Sequence, residues 1–181
     1  QLGFLIEEKT LTSIQTNADR LRHVSMERIS EELLKILASD YPADGIMLLY
    51  TSGMLQYIIP ELIESQGVEQ GGHHIHDVWK HSIESLRHCP SPDPVVRLAA
   101  LLHDIGKPAT ARAGGPRGVT FHGHEVVGER MVKKIGERLR LSKKQIDKLH
   151  MLVRWHMFHY QESMTDAAIR RFIRRVGVEN I

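Results

Sequence analysis

Apolar positions recur at spacings of three and four along almost the whole chain. Long alternating runs are scarce and two-residue β-hairpin signals are absent, so the pattern predicts an all-α protein. A first helix is expected over residues 10–22. Ser25 stands as N-cap before a second over 26–38, where Ile29, Leu33, Ile36 and Leu37 form one apolar stripe. Pro42 opens a short helix over 43–52, Gly53 breaks it, and residues 54–59 and 60–62 add further turns; the apolar stretch 46–49 is a core candidate. Residues 65–72 hold Gly67, Gly71 and Gly72 among polar neighbours and read as a loop, which puts a domain boundary at about residue 70.

Beyond that loop, helices are expected over 76–86, 94–105, 122–138, 143–156 and 167–176. The segment 94–105 is apolar nearly all the way round (Val95, Val96, Leu98, Ala99, Leu101, Leu102), as buried helices are. Ser142 and Gln145 form a capping box before residue 143, Thr165 or Asp166 caps the last helix, and Gly177 stops it. Between the second and third of these helices, residues 106–118 carry Pro108, Gly114, Gly115, Pro116 and Gly118 and read as a functional or mobile loop.

The 181 residues are 41% hydrophobic and 25% charged, which fits a core-forming chain and excludes collagen-like or broadly disordered sequence. No apolar run approaches the roughly 18 residues of a membrane span. Cys89 is the only cysteine, so no internal disulfide or Cys-rich metal motif exists. With no signal peptide in view, a cytoplasmic protein without a membrane partner is expected. The chain opens without Met and ends abruptly, and it reads as a piece of a longer protein.

Charge changes this picture. Residues 1–110 hold nine basic and fifteen acidic side chains, residues 111–181 fifteen basic and seven acidic. The basic end offers a footprint for a polyanion, or a set of solvated helix faces. Arg170, Arg171, Arg174 and Arg175 lie within about one and a half turns, placed to meet RNA phosphates or the acidic first half.

Histidine changes it more. Eleven of the twelve histidines follow residue 70. His103-Asp104 ends the apolar helix, where two adjacent side chains can converge on one ion as the chain leaves helical geometry. His81, His124 and His156, each on a different expected helix, are candidates to complete the set. Such nitrogen and oxygen donors suit Mn, Co, Ni, Zn or Fe better than Ca. An ion there would acidify a water and stabilise developing oxyanion charge, with Lys107, and Arg112 or Arg117, holding phosphate oxygens. The bland alternative is a buried histidine beside a capping aspartate. His73, His74 and His76 read as exposed helix-start residues, His122 as a pocket residue, His150 and His159 as ordinary, and Trp79 and Trp155 as pocket walls.

Leu101-Leu102-His103-Asp104-Ile105-Gly106-Lys107 resembles the signature of the HD superfamily of metal-dependent phosphohydrolases. Asp77-Val78-Trp79-Lys80-His81-Ser82 and Phe121-His122-Gly123-His124-Glu125-Val126-Val127-Gly128 extend the match. Earlier, Gly3-Phe4, Ile6-Glu7-Glu8, Val24-Ser25-Met26-Glu27-Arg28-Ile29, Gly53-Met54-Leu55 and Ile59-Pro60-Glu61-Leu62 resemble the neck and body of bacterial CCA-adding enzymes and related poly(A)-polymerase-type nucleotidyltransferases. Arg170-Arg171-Phe172 with Arg175-Val176-Gly177 resembles the helix those proteins carry after the HD core.

The resemblance implies a helical neck and body over residues 1–70 followed by an HD domain over 71–181. It implies metal binding by His81, His103 and Asp104, with His124 and His156 as further ligands or substrate-facing groups, and a catalytic role for Asp104 and Lys107. A distant closing aspartate is common in such domains; the late candidates are Asp147, mid-helix, and Asp166, a cap. Glu27 and Arg28 are implied contacts of the head or its nucleotide. That head, with its paired carboxylates, Gly-Ser motif, Mg and CTP or ATP, has no counterpart here, so the sequence reads as beginning just after it. The implied partners are a tRNA or other RNA 3′ end and a small phosphoester, the implied activity phosphatase and 2′,3′-cyclic phosphodiesterase. Two rival readings are a standalone HD nucleotide phosphohydrolase and a catalytically silent RNA-binding module.

Overall fold

A computed structural model describes residues 5–70, 77–114, 118–159, 161 and 163–178, and these are helical apart from one short hairpin. α1 (Glu8–Thr16) starts on the Glu7 carboxylate, which accepts from the Thr10 amide. It stops at Asn17, whose side-chain amide turns back to the Ser13 carbonyl, and the chain continues as a 3₁₀ turn, Ala18–His23. The single helix expected over 10–22 is thus broken in two, because only Ala18 in this stretch is buried and little packing rewards a longer helix. α2 (Met26–Ala38) follows with Ile29, Leu33 and Leu37 buried on its core face. α3 (Pro42–Thr51), α4 (Leu55–Ile58) and α5 (Pro60–Ile63) complete the first half.

Residues 65–70 are no free linker. Ser65 and Gln70 are buried, and the Val78 and Trp79 amides donate to the Val68 and Ser65 carbonyls. Asp77 caps α6 (Val78–Arg87) by accepting from the Lys80 amide while its second oxygen takes the Gly67 amide. Gly71, Gly72, His73, His74 and His76 lie outside the described residues.

α7 (Pro94–Leu102) is the central helix, capped by Asp93 and buried at Val95, Leu98, Ala99, Leu101 and Leu102. It ends three residues earlier than expected. The chain turns at 103–106 and enters a one-turn helix, α8 (Lys107–Thr110), where a loop was expected. β1 (Arg112–Ala113) and β2 (Val119–Thr120) then pair antiparallel, Arg112 opposite Thr120. Their connection is a glycine-bearing loop closed by the Gly114 amide on the Gly118 carbonyl, so a two-residue turn signal could not announce it. α9 (His124–Arg138), α10 (Lys143–Trp155, with the expected capping box) and α11 (Asp166–Val176, capped by Thr165) close the fold.

One apolar core runs through both halves, from Leu33, Leu37 and Ile46 through Leu98, Leu101 and Leu102 to Ile135 and Leu149. Charged side chains stitch the same seam. Arg97 of α7 donates to the Leu37 and Ser39 carbonyls, both at 2.7 Å, satisfying the end of α2. Arg138 of α9 grips Glu61 of α5 with two bonds of 2.7 Å. Burial by itself would raise the Glu61 carboxyl, but the Arg138 hydrogen bonds outweigh it and hold the group below 4.5. Its stabilising contribution is therefore complete above 4.5 and is lost as pH falls through the depressed folded-state value. Glu61→Gln is expected to cost about 2 kcal/mol at neutral pH, the scale of hydrogen bonds to a charged group. Urea titrations of both proteins should show the gap closing in acid; a gap that stays constant would mean the pair contributes through packing alone.

Candidate metal centre

Four helices deliver their histidines to one point because of where each histidine falls. His103 is the C-cap of α7 and Asp104 begins the turn after it. His81 lies in the first turns of α6, His124 is the first residue of α9, and His156 is the C-cap of α10. Three of the four therefore sit at helix ends, where their side chains face a common gap rather than a packed neighbour.

Asp104 stands at the middle, 2% exposed. Its Oδ2 lies 3.1 Å from His103 Nε2 and 3.5 Å from His81 Nε2, and those two nitrogens are 3.1 Å apart. Its Oδ1 lies 3.3 Å from His124 Nε2 and 3.6 Å from His156 Nε2, themselves separated by 3.2 Å. The carboxylate thus belongs to two triads, one on each oxygen, and both have donor spacings that fit a metal ion.

The orientation of the rings supports the same use. His103, His124 and His156 each place Nδ1 within 2.7–2.8 Å of the backbone carbonyl three residues earlier, at Ala100, Phe121 and Val153. A proton on Nδ1 donates to that carbonyl and leaves the Nε2 lone pair aimed into the gap, the arrangement a metal-ligating imidazole needs. With Nε2 atoms facing one another as acceptors, a cation between them resolves the repulsion. Where protons rather than a cation occupy the Nε2 positions, they donate to Asp104: burial alone would raise its carboxyl, yet these hydrogen bonds from His103, His124 and His156 override it and keep the group far below the ordinary carboxylate range. For His124 burial acts to lower its proton affinity, and Asp104 and the Phe121 carbonyl reverse that to a net rise.

The gap opens into a pocket of about 770 Å³. Lys107, His122, Arg154, Trp155 and Phe158 are among its walls. Lys107 is not on a loop; it is buried at the start of α8, with its ammonium on Asp104 Oδ2 at 2.8 Å and on the Gln70 amide oxygen. Gln70 and Arg154 are site residues that the sequence pattern did not single out. Gln70 lay in what read as a linker. Arg154 lay on a basic helix, and only the fold shows it turned inward, held by Glu129 at 2.9 Å and Glu125 at 3.7 Å.

The other expected residues divide. His122 lines the pocket. His150 pairs with Glu129 and His159 is exposed. Trp155 is a pocket wall, whereas Trp79 is a core residue packed on Tyr50, since its face of α6 turns toward α3. Asp147 and Asp166 join neither triad; His124 and His156 occupy the second one instead. Arg112 is exposed on β1, and Arg117 lies outside the described residues. Glu27 is exposed, 3.8 Å from Arg140, while Arg28 borders an apolar groove beside α2. Arg170, Arg171, Arg174 and Arg175 are all exposed.

Residues 3–65 match the family described as the probable RNA and SrmB-binding site of polymerase A, and residues 72–175 match the HD domain. An A-adding tRNA nucleotidyltransferase of Deinococcus radiodurans is 38% identical, the alignment covering 96% of this chain and 42% of the relative. A CC-adding tRNA nucleotidyltransferase of Thermus thermophilus is 34% identical with the same coverage. A multifunctional CCA protein of Legionella pneumophila is 32% identical over 86% of this chain and 39% of the relative. The chain spans about two fifths of the length of these relatives.

Proposed function

Because the chain belongs to the family of CCA-adding and poly(A)-polymerase-type proteins, with its RNA-binding-type and HD domains, we propose that the HD centre hydrolyses phosphomonoesters and 2′,3′-cyclic phosphodiesters. Asp104, shared between two histidine pairs, is the observation that supports this reading most directly. His81, His103, Asp104, His124 and His156 are the residues that would hold divalent transition metal, with Mn, Co, Ni, Zn and Fe all compatible with the donors. Such an ion supplies Lewis acidity to water and to the phosphoryl oxygens.

The chain's own side chains supply the rest. Lys107, fixed by Gln70, and Arg154, fixed by Glu129, present two cations to the non-bridging phosphate oxygens. Phe121, Trp155 and Phe158 give the pocket flat apolar walls that exclude water and orient a nucleoside. Residues 1–70 would serve as neck and body for RNA, in a cytoplasmic protein whose nucleotide transfer from CTP and ATP to a tRNA 3′ end, with Mg, belongs to a head domain. Among the described residues no helix is long and apolar enough to cross a membrane.

The test begins with elemental analysis of protein purified without chelator, beside His103→Ala. Transition metal bound near stoichiometrically and reduced in the variant, with 2′,3′-cyclic phosphate turnover reduced in parallel, is the expected result. No metal and no turnover after supplementation with Mn, Co, Ni and Zn would transfer the reading to a silent RNA-binding module.

A further inference from the structure

The two triads share Asp104 but do not receive it on equal terms. Oδ2 faces His81 and His103 at 3.5 and 3.1 Å, and it also accepts from the Lys107 ammonium at 2.8 Å. The closest group to the anionic donor of the first triad is therefore a positive charge. Oδ1 faces His124 and His156 at 3.3 and 3.6 Å, and among the described residues no lysine or arginine pairs with it. The field of Lys107 reaches His124, but its hydrogen bond to Asp104 is made to Oδ2. Solvent separates the triads in the same sense. The His81 side chain is 36% exposed, those of His124 and His156 8% and 14%, so attraction for a cation is screened less at the second triad.

Resting on the hydrolytic reading above, we infer that the triads fill in order, His124 and His156 first, and that a phosphate group in the pocket opens the His81 and His103 side to its ion. Lys107 is the switch. While its ammonium rests on Oδ2, a divalent cation at the first triad has a like charge beside it on a shared oxygen, and in a buried site that repulsion is strong. The ammonium has a second seat. Gln70 Oε1 accepts from it, and Gln70 is steadied by its own Nε2 on the Asp77 carbonyl at 3.4 Å. The ammonium also lies 5.5 Å from the centroid of the Phe121 ring, a pocket wall, so it borders the space a phosphate enters. A negatively charged phosphate oxygen gives Lys107 a charge-assisted partner in place of Oδ2. Lys107 then keeps Gln70 and turns from Asp104, and Oδ2 is released to His81 and His103 as their third donor. By linkage, phosphate and the ion of the first triad raise each other's affinity by the same factor. The complete pair of ions thus assembles preferentially on a chain that holds a phosphoester.

The test titrates the metal-free chain with Co(II), with and without inorganic phosphate, following heat and the visible absorption of the bound ion. Without phosphate the wild type should show two classes of site at least about 10-fold apart in affinity, and phosphate should close most of that gap. His124→Ala should remove the tight class and His81→Ala the weak one. Lys107→Met keeps the volume and loses the charge, and should merge the two classes with no phosphate present. Gln70→Met withdraws the second seat and should widen the gap, so it carries the same test with opposite sign if Lys107→Met melts too low to titrate. Arg154→Met removes an equal charge from the pocket wall and should leave the gap as it is. A single class in the phosphate-free wild type, a tight class lost with His81→Ala instead of His124→Ala, an unchanged gap in both Lys107→Met and Gln70→Met, or an Arg154→Met effect equal to that of Lys107→Met overturns the inference. Any of these with cyclic phosphate turnover intact leaves hydrolysis standing. Ordered filling driven by phosphate, with no turnover of any phosphoester, would retain the order and remove the hydrolytic reading.

Discussion

Asp104→Asn should bring bound metal to background and lower phosphoester turnover by about a thousandfold, equivalent to roughly 4 kcal/mol in the barrier. The size of the effect follows from the two-sided use of one carboxylate. Oδ2 belongs with His81 and His103, Oδ1 with His124 and His156, so the substitution removes the anionic member of both triads at once. Single histidine variants should be milder. His81→Ala and His156→Ala each strip one arm from one triad, and each should retain metal at the other. Asparagine is the substitution of choice because Lys107 is buried against the same oxygen. Alanine would leave that ammonium with Gln70 alone, and breaking a buried pair is itself destabilising by about 3–5 kcal/mol. Mass spectrometry for metal, steady-state turnover and thermal melting of the metal-free proteins separate these effects. Metal retained by Asp104→Asn at the wild-type level would rule out a shared carboxylate.

Much of this centre was legible in the sequence, and the reason is positional. His103, Asp104, His124 and His156 all sit next to punctuation: the end of an apolar run, a glycine before a helix, the last turn of a capped helix. Such punctuation shows in the sequence even where the exact helix end does not, as at α7, and here it is also where the chemistry lies. What stayed hidden depends on contacts between distant segments. Gln70 reads as linker because glycines surround it, and becomes a site residue only when residues 65–70 are bonded to the start of α6. Arg154 is one cation among many until Glu125 and Glu129 turn it into the pocket. The hairpin escaped notice since its strands are two residues each, too short for alternation to register. The break at Asn17 escaped for the opposite reason: the sequence tolerates a helix there, and only the absence of packing ends it.

Gly106 carries the second large expectation, because it holds the two triads together. A Cβ at Gly106 would stand 2.2 Å from the His124 carbonyl oxygen and 2.7 Å from the Gly128 amide nitrogen. Both are backbone atoms of α9, so no side-chain rotation relieves the overlap and the helix itself must retreat. His124 opens α9, and its retreat draws Nε2 away from Asp104 and dismantles the second triad while His81 and His103 keep theirs. Gly106→Ala is expected to cost about 3 kcal/mol or more, lowering the melting temperature by about 10 °C for a chain of this size. It should also lower metal content in part rather than wholly. Gly128→Ala supplies the graded comparison. Its Cβ meets the Val153 side chain at 3.3 Å and the Gly106 backbone only at 3.6 Å, so a small side-chain adjustment accommodates it and the loss should be well under half as large. Equal effects of the two substitutions would show that the approach of α8 to α9 tolerates separation, and that the distance between the triads is set elsewhere.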